Sequence, residues 1–286
     1  MRVTILSSGS KGNATLFESG GTALLVDAGI SVTSLAARAP GLAAVVITHA
    51  HGDHTGNFRQ IHRRLKTQVY MSEATARAHE APDHVARYSP REPFAVGTLT
   101  VSPLPLPHDA AQVALVVSDG QHRVAIVTDL GEVPPGLVGH LRGCDALLVE
   151  SNHDIGMLLE GPYPASLKRR ISSARGHLSN DQLGELLRAH HRDATSYGLP
   201  GASTVVLMHL SEQNNRPDIA RAKRDLERGV LRGDQQVLGA PPEHVGGLGP
   251  GDVGPVVLLG QVHQHHGRGA RQAVARGVAV VGPQQL

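Results

Sequence analysis

The densest group of chemically capable side chains lies in THAHGDHTGN, residues 48–57, where His49, His51, Asp53 and His54 fall within six positions. Imidazole and carboxylate donors without thiolate suit zinc, manganese or iron with open coordination positions. An i, i+2 histidine pair is not the i, i+4 pair of a helical H-E-x-x-H site, and that motif is absent from the chain. The spacing describes a loop leaving a strand. His49 and His51 would reach one ion from extended backbone, while Asp53 and His54, at the start of a helix, would turn toward a second. Because 18 of the 286 residues are histidine, a solvated His-rich loop is the competing reading of this stretch taken alone.

Such a loop needs a rigid frame, and the surrounding sequence supplies strand-length apolar runs. These are RVTIL (2–6), TALLVDAG (22–29), AAVVITH (43–49), TLTVSPL (98–104), VALVVS (113–118), HRVAIVTD (122–129), DALLVE (145–150) and STVVLMH (203–209). Several are continuously apolar, as strands covered on both faces must be. Helical periodicity occupies 54–65, 72–79, 165–174, 180–191 and 214–227. Strands dominate the first half with helices accumulating around them, which predicts an α+β fold of four αββα layers. Polar residues recur where the runs end: Asp27, His49, His108, Asp129, Glu150 and His209. Sheets assemble sites at strand ends because a stiff frame aims side chains from distant sequence into one crevice.

With no Trp, three Phe and four Tyr, the core must be built from Val, Leu, Ile and Ala. A net charge of +2 is too weak to announce a nucleic-acid partner by itself. The single cysteine, Cys144, excludes an intrachain disulfide and a thiolate metal cluster, and in GCDALLVE it reads as a buried structural residue. The N-terminal MRVTILSSGSKGN turns polar too early for a secretory signal, and no apolar run approaches the roughly 20 residues of a membrane span. A soluble cytoplasmic protein is expected, with no membrane partner and the oligomeric state left open. The domain is expected to occupy residues 1–238. Residues 239–286, interrupted throughout by Gly and Pro, read as a poorly ordered tail with a short strand at Val256 to Leu259. VHQHHGRG (262–269) has no acidic partner and suggests adventitious metal affinity.

HAHGDH has the form HxHxDH and resembles the signature of the metallo-β-lactamase fold superfamily, whose architecture is the αββα sandwich. Other motifs match in order. Asp27 in LLVDAG resembles the supporting aspartate, His108 in LPLPHDA the third-motif ligand, Asp129 in IVTDLG the metal-bridging carboxylate, and His209 in VVLMHLS the last histidine ligand. The resemblance spans residues 1–235. SSGSKGNAT, ESNHD (150–154), GHLSN (176–180) and MHLSEQNN (208–215) are further similar to the YycJ/WalJ branch, related in layout to tRNase Z and PhnP and associated with 5′ to 3′ exonuclease action on DNA.

The resemblance implies two divalent ions, Zn or Mn. His49, His51 and His108 would hold the first, Asp53, His54 and His209 the second, and Asp129 would be shared. It also implies a metal-bridging hydroxide as nucleophile for phosphodiester cleavage, with Asp53 orienting it or accepting its proton. By analogy with tRNase Z, His177 is the candidate general acid or phosphate contact, against a plain helix-capping role. Asp27 is expected to orient a ligand histidine rather than bind metal. Ser10, Lys11 and Asn13, with His153 and Asn180, are the expected substrate contacts. For the first loop a simple hairpin turn is the alternative, and for His153 a structural role.

Basic clusters occur at 59–66, 166–170, 188–192 and 216–224. The first and last follow site motifs, so a phosphate-bearing polymer, DNA, could lie along them. Scarce aromatic residues argue against a grip built on stacked bases. The alternative function is hydrolysis of small cyclic phosphates or other small esters, as in PhnP-like or lactonase-like enzymes. A non-catalytic protein with structural metals is a third reading.

Overall fold

Alternation along each strand sorts the apolar side chains into sets that face different layers. In β3 (Thr22–Val26), Leu24 and Val26 enter one buried cluster and Leu25 another. In β10 (Arg123–Val127), Val124 and Ile126 enter the first cluster, and Ala125 and Val127 a third. Strands buried on both faces must be covered on both, which requires two sheets sharing one interior and helices outside each. The computed structural model shows that arrangement. It describes residues 1–227, 236–239, 256–261 and 276–281, with side-chain placement through Ala222.

The first sheet contains β1 (Arg2–Ser7), β2 (Ala14–Ser19), β3, β4 (Ala44–Val46), β5 (Gln68–Ser72) and β6 (Ala86–Tyr88), extended beyond β1 by β14 (Val256–Gln261) and β15 (Arg276–Val281). The second runs in order from β13 (Gln236–Gly239) through β12 (Thr204–Met208), β11 (Ala146–Glu150), β10, β9 (Gln112–Ser118) and β8 (Leu99–Leu106) to β7 (Phe94–Val96). Val3, Phe17, Leu24 and Val46 of the first sheet meet Leu115, Val124, Leu148 and Val206 of the second in the central core. Outside the first sheet, α1 (Val32–Arg38), α3 (Phe58–Leu65) and α4 (Glu73–Ala78) bury Val32, Leu35, Phe58, Ile61 and Ala76. Outside the second, α5 (Leu137–His140) and α8 (Asn180–Ser196) bury Leu137, Leu141, Leu183, Leu186 and Leu187. The fold class is the expected four-layer sandwich.

Strands β3, β4 and β5 pair in parallel, as do β10, β11 and β12. Their C-terminal ends therefore lie on common edges, where the site is built. Helix α8 starts at Ser179, whose side chain caps Gln182 N while the Gln182 side chain accepts from Ser179 N. This reciprocal cap satisfies two orphan donors. It also takes the capping role from His177.

The single helix expected over 54–65 is instead α2 (Gly52–Thr55) followed by α3. Gly56 between them has φ 43° and passes so close to Ala28 O that a Cβ would lie 2.0 Å from it. That contact breaks the helix and docks the ligand loop on the end of β3. Strands β2, β5 to β7 and β13, and helices α1, α5 and α6 (Ile155–Glu160), are not expected from periodicity; most are too short to carry a distinct period. In the segment 239–286, expected as a poorly ordered tail with a short strand at Val256 to Leu259, Gly239 closes β13, and β14 and β15 are described. The rest of it, including VHQHHGRG, lies outside the described residues. Among the described residues no helix is long and apolar enough to cross a membrane.

Candidate metal centre

Asp27 follows β3, Asp129 lies two residues past β10 and His209 follows β12, and all three adopt left-handed backbone with φ of 61°, 58° and 53°. Such conformations in non-glycine residues cost about 1–3 kcal/mol each. They persist here because each residue is held by partners in a buried network. Gly29, two residues after Asp27, approaches Asp53 O so closely that a Cβ would stand 2.0 Å away. Asn13 N donates to Asp53 O at 2.8 Å and Gly29 N to Asn13 O at 2.8 Å. The loops of SSGSKGN, LLVDAG and HAHGDH are thus laced together by backbone.

The histidines form two adjoining groups. In the first, His51 Nδ1 lies 3.0 Å from His49 Nε2 and 3.4 Å from His108 Nε2. The opposite nitrogens have acceptors: His49 Nδ1 is 3.1 Å from Thr48 Oγ1, His108 Nδ1 is 3.0 Å from Gly176 O, and His51 Nε2 is 3.1 Å from Asp109 Oδ1. N–H groups on those outer atoms leave three inner lone pairs converging on one point, the geometry of an imidazole metal site. In the second group, Asp53 Oδ2 lies 3.5 Å from His54 Nε2 and 3.9 Å from His209 Nε2. His54 Nδ1 donates to Asp27 Oδ2 at 2.7 Å and His209 Nδ1 to Glu150 Oε1 at 2.8 Å. Asp129 joins the groups, with Oδ2 3.1 Å from His54 Nε2 and Oδ1 3.5 Å from His209 Nδ1.

The residues fit divalent metal binding. Asp129 Oδ2 and His209 Nε2 are buried without an aligned hydrogen bond, an expensive condition unless another partner is intended. Nearly every donor atom is sunk below the surface: His49, His54, His108, Asp129 and His209 are at most 5% exposed. Without ions, protons offset the carboxylates. Burial would depress the His54 pKa, but the Asp27 and Asp129 carboxylates outweigh it and lift it to about 10. His209 also rises well above its ordinary value, against burial, because of Asp129, Asp53 and Glu150. Asp129 falls far below the carboxylate range, since His209 and His54 outweigh its burial. His49, buried and beside His54, is pushed well down.

Glu150 is the residue whose role sequence reasoning missed. Fully buried at the end of β11, it accepts from His177 Nδ1 at 2.9 Å and His209 Nδ1 at 2.8 Å through Oε1. Its Oε2 accepts from Leu130 N at 3.2 Å and Leu178 N at 2.9 Å. These donors, chiefly His177 and His209, overcome burial and bring its pKa down to about 2. The available signal was a lone carboxylate closing an otherwise apolar strand. Asp109, beside His108, was likewise overlooked; its contacts with His51 and Arg170 join segments far apart in sequence.

The expected substrate contacts divide. Ser10 and Lys11 are exposed, and Lys11 pairs with Glu212. Asn13 is buried, its Nδ2 2.9 Å from His54 Nε2 and 3.2 Å from Asp53 Oδ2, inside the second group. Asn180 is turned away from solvent: it exchanges hydrogen bonds with Asn215 at 3.0 and 2.9 Å and accepts from Ser151 Oγ at 2.7 Å. With both amide atoms engaged, it clasps the loops of ESNHD, GHLSN and MHLSEQNN together. His153 is buried, with Nδ1 lacking a hydrogen bond and its carbonyl accepting from Asn180 N. His177 lies between the groups, its ring 5.3 Å from that of His108 and 5.2 Å from that of His209.

The Beta-lactamase superfamily domain matches residues 22–210, a span that includes every proposed ligand. The chain belongs to the metallo-β-lactamase superfamily. Within it, the chain falls in the YycJ/WalJ branch. It is 31% identical over 235 residues to exodeoxyribonuclease YycJ of Bacillus anthracis, covering 77% of this chain and 86% of that one. Identity to exodeoxyribonuclease WalJ of Streptococcus pneumoniae is 32% over 253 residues, with coverage of 80% and 91%. The fold is shared with the metallo-beta-lactamase fold protein YhfI of Bacillus subtilis, at a TM-score of 0.63 and 21% identity over 83% of this chain and 95% of that one. The chain is accordingly a metal-dependent hydrolase.

Proposed function

We propose that this hydrolase is a two-metal phosphodiesterase that degrades DNA from the 5′ end, in the cytoplasm where DNA is accessible to it. The observation that carries the metal chemistry is the convergence of His49, His51 and His108 beside Asp53, His54 and His209, with Asp129 between. The nucleic-acid substrate is supported by the relatives named exodeoxyribonuclease. His49, His51 and His108 would hold one ion, Asp53, His54 and His209 the other, and Asp129 both. Two bound ions, Zn or Mn, would make water acidic enough to deprotonate near neutral pH and offset charge on the phosphate.

The chain's own groups then have distinct tasks. Asp27, Glu150, Asp109, Thr48 and Gly176 O accept from the outer nitrogens of the five histidines, fixing which nitrogen presents a lone pair. Asp53 is less buried than His54, His209 and Asp129, its side chain 23% exposed, so its carboxylate can take the proton of the attacking water. His177 donates Nδ1–H to Glu150, leaving Nε2 for the substrate. Burial would depress its pKa, but Glu150 reverses that and raises it, which keeps a proton available at Nε2 for the departing alkoxide.

Stripping the protein with chelator and restoring Zn or Mn, with duplex DNA and bis-p-nitrophenyl phosphate as substrates, tests this reading. Activity on both that returns with about two equivalents of metal supports it. Hydrolysis of the small ester alone points to a PhnP-like or lactonase-like enzyme, and turnover that survives chelation excludes the metal mechanism.

A further inference from the structure

The helix α7 (Ala165–Ile171) and the turn after it bring two arginines onto the loop that supplies His108. Arg170 Nε and Nη2 both donate to Asp109 Oδ2, at 2.8 and 2.5 Å. Arg175 Nε donates to the His108 carbonyl at 2.8 Å. Asp109 meanwhile presents Oδ1 to His51 Nε2 at 3.1 Å and lies 3.3 Å from His108 Nε2. Arg175 is therefore moored to a member of the first histidine group, and Arg170 to the carboxylate that holds one. Each is moored by only part of its donor set. Arg170 Nη1 and the two Nη atoms of Arg175 make no hydrogen bond among the described residues, the Arg170 side chain is 55% exposed, and Arg175 is an exposed residue.

The other basic segments are arranged differently. Arg59 donates to the carbonyls of His79 and Glu80, and Arg216 pairs with Asp218. Lys168 on α7 itself is directed to Leu159 O. Sequence order favours the clusters after the first and last ligands as a path for a polymer, but the mooring to the His108 loop belongs to 170–175. An arginine already held at one edge loses little further rotamer freedom on binding, and its remaining fork matches phosphate oxygens.

We propose that Arg170 and Arg175 form a subsite for a second phosphate of the nucleic-acid strand, beside the phosphate positioned for cleavage. The subsite rests on the nucleic-acid reading above and gives it a direction, because it places the bound strand over the His51–His108 side of the centre. Asp109 offsets one of the two positive charges, so the pair holds a phosphate without becoming a sink for any anion. A small phosphodiester has no second phosphate to offer and leaves the subsite unused.

The test is binding of a fluorescent single-stranded oligonucleotide, protected by phosphorothioate linkages, to the metal-loaded full chain. Wild type, Arg170→Ala, Arg175→Ala and the double variant are compared over a salt series, with metal content measured on each. The expected result is about tenfold weaker binding for each single variant and a salt slope lower by about one per arginine, at undiminished metal content. On substrates, the ratio of DNA cleavage to bis-p-nitrophenyl phosphate hydrolysis falls tenfold or more. Wild-type affinity and salt slope in both single variants overturn the subsite, as does a loss accompanied by loss of metal. Failure of the wild-type protein to bind the oligonucleotide also overturns it, while hydrolysis of bis-p-nitrophenyl phosphate in the same preparation leaves the phosphodiesterase chemistry standing. Wild type that binds the oligonucleotide with the expected arginine dependence yet hydrolyses neither substrate refutes the catalytic reading and leaves the subsite intact.

Discussion

Replacing Glu150 by Gln alters one atom at the junction of the two halves of the centre. Four donors converge on the carboxylate: two imidazole N–H groups on Oε1 and two backbone N–H groups on Oε2. A carboxamide offers one acceptor oxygen and one NH2, so either orientation sets a donor against two donors. With nitrogen toward Leu130 and Leu178, two buried backbone groups lose their partner. With nitrogen toward the histidines, His177 and His209 lose the acceptor that holds their tautomers, and His209 is driven to carry its proton on Nε2, the atom proposed to hold metal. A buried hydrogen bond to a charged group contributes about 1.5–3 kcal/mol, so losing two costs ~3–6 kcal/mol before relaxation. Disturbing the orientation of a ligand in this way weakens metal binding about 10–100-fold.

The assay is chelator competition for metal affinity, with thermal unfolding of the metal-free protein as a function of pH. Glu150 has a folded pKa of about 2 against an ordinary 4.5. Its stabilising effect is therefore fully present above 4.5 and lost as pH falls through about 2. Wild type and Glu150→Gln should differ most near neutrality and converge as pH drops across that window. Unchanged metal affinity together with unchanged stability at neutral pH would refute the role assigned to Glu150.

Three further outcomes are expected. Asp27→Asn leaves one acceptor oxygen where His54 Nδ1 and Thr48 N each now have their own, and should weaken the second ion about 10–100-fold while the first stays bound, as read by stepwise metal titration. Asn180→Ala breaks three buried hydrogen bonds of the clasp. It should destabilise the fold by ~2–4 kcal/mol in denaturant titration; a raised KM with stability unchanged would return Asn180 to the substrate. Cys144 is 2% exposed, and burial pushes its thiol up to about 12. Iodoacetamide at pH near 8 should label it only after denaturation, and rapid labelling of the native protein would contradict its buried, inert setting.

Four residues of the candidate site were legible because each sits where an apolar run stops: His49 after β4, His108 after β8, Asp129 after β10 and His209 after β12. Strand periodicity and a polar terminus are local signals, readable without knowing which strands pair. What escaped depends on approach between distant segments. Glu150 meets His177 at a separation of 27 residues and His209 at 59, and Asp109 meets Arg170 at 61. The asparagines of the motifs after β11 and β12 show the same limit. Their residue types suit ligand contact, yet Asn180 and Asn215 satisfy one another in a buried pair. Burial of a polar side chain is decided by the partner it finds, and a single sequence does not display that partner. The break at Gly56 is a further case, since it follows from contact with Ala28 across the site.

The most direct test of a two-metal exonuclease is a time course on duplex DNA labelled at its 5′ ends, with Mn-loaded wild type, Asp129→Ala and chelator-treated protein side by side. The account predicts labelled mononucleotide as the earliest product from the wild type, and none from the other two. Label released first as long oligonucleotides, or cleavage that persists without Asp129 or without metal, would contradict it.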